Sequence, residues 1–82
     1  MKLFSVHDSK ANYYLNPMTY RNAGEAVRNF ETVVNDSKSQ FFMYPADFTL
    51  VELAEFDSNT GSIVPHDKPV ILGNASDLKK QD

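Results

Sequence analysis

Ala23, Ala26, Val27, Phe30, Val33 and Val34 recur at i, i+3, i+4, i+7, i+10 and i+11, which sets them on one face of a helix. Glu25, Arg28, Asn29, Glu31 and Thr32 fill the remaining faces. Asn22 has the short polar side chain that satisfies free N–H groups in a first helical turn. Glu25, three residues on, can reach back in a capping box. Asn35-Asp36-Ser37 ends the pattern. A short helix is marginal by itself, so this one must bury its stripe, and a sheet is the only large partner available.

Strands follow from alternation and turn chemistry. Residues 2–8 alternate, with Phe4, Val6 and Asp8 on one side and Leu3, Ser5 and His7 on the other. Asp8-Ser9-Lys10-Ala11-Asn12 is rich in side chains that bond nearby backbone and stabilise a reversal. It leads into a second, aromatic-rich strand over residues 13–20, where Pro17 has no N–H for a ladder; that strand lies at a sheet edge or breaks there. Phe41-Phe42-Met43-Tyr44-Pro45 reads as linker. In residues 48–56, Phe48, Leu50, Glu52, Ala54 and Phe56 share one flank, and Thr49, Val51, Leu53 and Glu55 the other; apolar residues on both predict a central strand, or one covered on its second face by a dimer partner. Asp57-Ser58-Asn59-Thr60-Gly61 is a hairpin turn, with Gly61 free to take the left-handed conformation. Ser62-Ile63-Val64 returns, Pro65 stops it, and residues 70–72 read as a short fifth edge segment or a packed cover. The expectation is an α+β fold, β-β-α-β-β, with one helix packed on an antiparallel sheet of about four strands. Residues 1–75 form its single domain, and residues 76–82 a flexible polar tail.

A chain of 82 residues holds one domain. It buries little more than about 60% of its unfolded surface, so a homo-oligomer would help it. With no Cys there is no disulfide, thiolate nucleophile or Cys-type metal site. The first residues reach Asp8 before any apolar stretch, which predicts no signal peptide, and no run approaches a membrane span. Residues 1–40 carry five cations against four anions, and residues 41–82 three against seven, which together give the net charge of −3. Nucleic-acid binders draw most of their affinity from neutralising phosphates, so tight DNA binding by a monomer is disfavoured.

Catalytic and metal chemistry finds no foothold. His7 and His66 could meet across a sheet, but two imidazoles without a third ligand make a poor metal site. Residues 57–61 resemble a calcium loop only superficially: counted from Asp57, Gly61 falls at position 5 and Lys68 at position 12, where a carboxylate is required. Gly24, Gly61 and Gly73 stand too far apart for a phosphate loop. Glu52 and Glu55 alternate faces on a strand, so they do not act together on one substrate. The expectation is a protein with no enzymatic activity and no cofactor.

Tyr13, Tyr14, Tyr20, Phe41, Phe42 and Tyr44 lie near Lys10, Arg21 and Lys38 in sequence. Exposed rings beside cations form a stacking platform for single-stranded nucleic acid. The plainer reading is that a small domain without Trp uses Phe and Tyr to fill its core or a dimer interface. The acidic stretch over residues 45–67 is either a solvated hairpin or a face for a basic partner.

Several blocks carry a family resemblance. Met1 through Ala11, then Ala26-Val27-Arg28-Asn29-Phe30 and Val34-Asn35-Asp36, resemble the small nonstructural proteins of the gokushoviruses, single-stranded-DNA phages of the Microviridae. So do the stretch from Tyr44-Pro45-Ala46-Asp47 to Leu50, Leu53-Ala54-Glu55-Phe56-Asp57, Gly61, and residues 69–73. Tyr44 stands where His is commoner in that family, and Ala54 where Gly is common. The resemblance implies a non-virion protein in the host bacterial cytoplasm, acting in genome replication or its switch to single-strand synthesis and packaging. It also implies DNA contact. Two mechanisms follow. In one, Lys2, Lys10, Arg21 and Arg28 with Tyr13, Tyr14 and Tyr20 bind single-stranded or replication-form DNA through an oligomer. In the other, Glu52, Glu55 and Asp57 contact a phage or host replication protein.

Overall fold

The computed structural model describes residues 1–80. Strand β1 (Lys2–Asp8) is followed by β2 (Tyr13–Tyr14), β3 (Met18–Tyr20), helix α1 (Ala23–Val34) and the short helix α2 (Gln40–Met43). A 3-10 turn (Pro45–Asp47), β4 (Phe48–Phe56), β5 (Ile63–Asn74) and the short helix α3 (Ala75–Leu78) complete it. The sheet is antiparallel in the order β2-β1-β4-β5, with β3 also pairing β1. The protein therefore has the α+β fold that the patterning requires.

The first turn closes as its residue types dictate: Asp8 Oδ1 accepts from Lys10 N–H at 3.0 Å and Ala11 N–H at 3.2 Å, and Asn12 takes a left-handed φ of 58°. The second strand is split. Its halves β2 and β3 both lie along β1, separated by Leu15-Asn16-Pro17, and Leu15 N–H still donates to Val6 C=O at 2.8 Å. Pro17 thus interrupts a strand that is also an edge.

Asn22 caps α1, its Oδ1 accepting from Glu25 N–H at 2.9 Å. Glu25 reaches back one residue beyond the cap, to Arg21 N–H at 3.3 Å. Ala26, Phe30 and Val34 form the buried seam, whereas Val33, expected in the stripe, is 40% exposed. Against that seam the sheet sets Phe4, Val6, Phe48 and Leu50, joined by Ala75. Phe41 stands edge-on to Phe30 at 5.4 Å and to Phe48 at 4.8 Å. It reaches them from α2, so the expected linker is a helical turn. Ser39 caps that turn, accepting from Phe42 N–H at 3.1 Å and donating to Val33 C=O at 2.7 Å.

β4 is the central strand, between β1 and β5. Plain alternation sets Val51 on the face away from the helix, and a phase shift at an irregularity between Glu52 and Ala54 sends Ala54 there too, so both, though buried, lie outside the helix-side core cluster. Gly61 closes the following turn at φ 77°. Pro65 does not stop β5, which runs to Asn74 and absorbs residues 70–72. The strand survives two prolines because it is an edge, with ladder bonds needed on one side only.

The expected tail also changes. Asn74 caps α3, Ala75 is fully buried and Leu78 packs on the core. Lys79 Nζ donates to Phe42 C=O at 3.0 Å and lies 4.0 Å from the centre of the Phe42 ring, and Lys80 N–H donates to Asn35 Oδ1 at 2.7 Å. Residues 76–80 are therefore tied to the domain by apolar packing and backbone capping, and the remaining two residues of the expected tail lie outside the described residues.

Candidate functional site

The sequence marks Tyr13, Tyr14 and Tyr20 as ring faces, and the split strand brings two of them, Tyr13 and Tyr20, to the helix side of the sheet and Tyr14 to the other. β2 and β3 lie end to end along β1, so Tyr13, which pairs Asp8, and Tyr20, which leans on Phe4, border one opening between the strand pieces and α1. Tyr14, which pairs His7, turns its ring to the opposite face of the sheet beside His7, Thr49 and Ile71. The opening leads into a pocket of about 570 Å³. Phe30, Phe41 and Val6 from the core line its apolar depth, while Asn16 and Asn29 add amide groups to the wall. No charged side chain among the described residues lines it. Tyr13 and Tyr14 are about half exposed. Tyr14 is steadied by His7, ring to ring at 4.7 Å, and Tyr20 leans on buried Phe4 at 5.8 Å. Apolar lining with a few polar groups in a volume of some hundreds of Å³ is the usual make-up of a ligand site.

The four candidate cations do not join this opening. Lys2 Nζ sits 3.7 Å from Glu52 Oε2. Lys10 shares a shallow depression with Asp8 and Asp47, and Arg21 another with Glu55 and Asp57. Arg28 is exposed on α1, and neither it nor the other three lines the pocket. The DNA footprint is thus divided: Tyr13 and Tyr20 meet at the opening, while Tyr14 and the cations face other surroundings.

The alternative acidic contact loses one member. Glu52 is only 7% exposed, held by His66 Nε2 at 2.7 Å as well as by Lys2. Its burial has a plain cause: it pairs across the ladder with Phe4 on one side and Val70 on the other, deep in the sheet. Glu55 and Asp57 remain exposed, and Asp57 Oδ1 accepts from Asn59 N–H at 2.9 Å to shape its turn.

The two histidines do not meet: His7 stacks on Tyr14 and His66 binds Glu52. Among the described residues no group of three or more His, Cys, Asp or Glu side chains could hold a metal ion. No helix among them is long and apolar enough to cross a membrane. Asn16, Asn29 and His66 are the site residues that patterning overlooks. Asn29 is visible beforehand only as a polar residue on the helix, and nothing local marks His66 as the partner of a residue across a bulged ladder.

No curated protein and no solved structure gives a significant match to the chain. A family model described as Phage ORF5 protein matches residues 1–78, nearly the whole chain, and the protein therefore belongs to this bacteriophage family.

Proposed function

We propose that this phage protein is a gokushovirus-type nonstructural protein. It acts without catalysis in single-stranded DNA genome replication or its switch to packaging, in the host cytoplasm, and touches DNA weakly as an oligomer. The observation that supports DNA contact is the meeting of Tyr13 and Tyr20 at one uncharged, apolar opening, with half-exposed Tyr14 on the opposite face of the sheet. A base has a neutral π-face that stacks on such rings, at about 1–3 kcal/mol each.

Because Lys2 is engaged by Glu52, and Arg21 neighbours Glu55 and Asp57, few phosphates would be neutralised. Stacking must then carry the affinity, and the salt dependence should be shallow. Fluorescence anisotropy of a labelled oligothymidine at ~50 and ~200 mM salt tests this. Replacing Tyr13 by Ala should weaken binding about tenfold, and replacing Tyr14, on the opposite face, should weaken it less. Arg21→Glu with Arg28→Glu should weaken it less. No binding at the lower salt ends the DNA reading.

The same dispersed cations favour a second reading, a protein-interaction module that recruits a phage or host replication protein. Exposed Glu55 and Asp57 beside the hairpin turn are its contact. Recovery of such a factor by the tagged protein, lost with Glu55→Lys and Asp57→Lys, supports it; recovery unaffected by those changes overturns that contact.

A further inference from the structure

Four large apolar side chains stand exposed along a single strand, β5: Ile63 at 57%, Val64 at 61%, Val70 at 46% and Ile71 at 74%. β5 is an edge strand, hydrogen-bonded only to β4 among the described residues. Its middle is unlike its ends. Pro65 pairs Ala54 and Val70 pairs Glu52, so residues 66–69 stand opposite Leu53 alone and bulge from the ladder. His66 is drawn inward to Glu52 at 2.7 Å, which leaves Asp67 and Lys68 exposed at the crest of the bulge. Neither has an ion-pair partner among the described residues.

The order of residues along β5 is self-complementary: an apolar arm, an acid, a base, an apolar arm. We infer that β5 is the self-association surface of this protein. Its occupant is β5 of a second copy, laid antiparallel and edge-on about a two-fold axis at Asp67-Lys68. A two-fold sets Asp67 beside Lys68 of the second copy, and Lys68 beside its Asp67. It also sets the Ile63-Val64 arm against Val70-Ile71 of the other chain, twice. One surface patch that complements itself is what a closed dimer requires.

Pro65 and Pro69 lack the N–H groups that a continuous ladder would use, so side chains carry the contact. The same prolines, with Lys68 and the bulge, blunt the edge against open-ended strand addition. This surface is separate from the tyrosine opening. The dimer is measured without nucleic acid, so it and the DNA reading can fail independently.

The test is the solution mass by light scattering over a range of concentrations. Wild-type protein should approach twice the 9.3 kDa of one chain. Asp67→Lys alone sets Lys against Lys twice, and Lys68→Asp alone sets Asp against Asp twice; each should weaken the dimer at least about tenfold. The double exchange, D67K with K68D, restores opposite charges and should restore the dimer. Ile71→Lys should give a monomer with an unchanged circular dichroism spectrum, since Ile71 contributes little to the fold. A monomeric wild type at all concentrations overturns the inference, as does a dimer insensitive to both single exchanges, or one that the double exchange fails to rescue.

Discussion

Glu52 sits in the central strand with its carboxylate between His66 and Lys2, and all but 7% of the residue is out of water. Removing the carboxylate strands a half-buried imidazole that has no other hydrogen-bond partner among the described residues. Glu52→Ala should therefore destabilise the protein by about 1–3 kcal/mol in urea unfolding, and Glu52→Gln, which keeps a hydrogen-bonding oxygen, by less. A change within experimental error for Glu52→Ala would mean that the pair adds nothing net. Strand alternation places Glu52 beside Leu50 and Phe48 correctly, yet its residue type suggests a solvated or partner-facing acid. What patterning lacks is His66, fourteen residues away across an irregular ladder. Gly61 is the opposite case. Its left-handed φ of 77° is written in the local turn sequence, and no distant residue is needed to find it.

Elements whose residues satisfy one another locally are the ones that can be read in advance. α1 has its cap, its stripe and its stop within fourteen consecutive residues, Asn22 to Asn35. Asn22→Ala removes the bond to Glu25 N–H and should cost about 1 kcal/mol, lowering the thermal midpoint followed by circular dichroism by about 4–8 °C. An unshifted midpoint would assign the start of α1 to packing alone. α2 is hidden because its four residues carry no period; Ser39 and the edge contacts of Phe41 with Phe30 and Phe48 hold it helical. β5 is hidden by its prolines, which are tolerated because the strand is an edge, a property of sheet order. The candidate site divides similarly. The tyrosines are legible as residue types, while the meeting of Tyr13 with Tyr20 depends on β2 and β3 sharing β1, and the separation of Tyr14 on its pairing with His7.

At the scale of the molecule, the C-terminal segment decides how the core is closed. The polar composition of residues 76–82 suggests a tail whose removal is harmless. The packing says otherwise for the described part. Leu78 covers the core, and Asn35 at the end of α1 donates to Leu78 C=O at 3.2 Å while accepting from Lys80 N–H at 2.7 Å. Lys79 adds its bond to Phe42 C=O and its place over the Phe42 ring. Residues 78–80 thus fasten α1 to α2, the helix that carries Phe41. Partial burial of Leu78, the Asn35 bonds and the Lys79 contact together are worth about 2–3 kcal/mol. That is a large part of the ~4–12 kcal/mol expected for a domain of this length. A protein ending at Ala75 should melt about 10–20 °C lower than the full chain by calorimetry. Leu78→Ala in the full chain should account for about half of that loss, because the Asn35 and Lys79 contacts survive it. Equal melting of the truncated and full proteins would return the segment to the status of a tail, with α1 and α2 held by Phe41 and by the Ser39 bond to Val33 C=O.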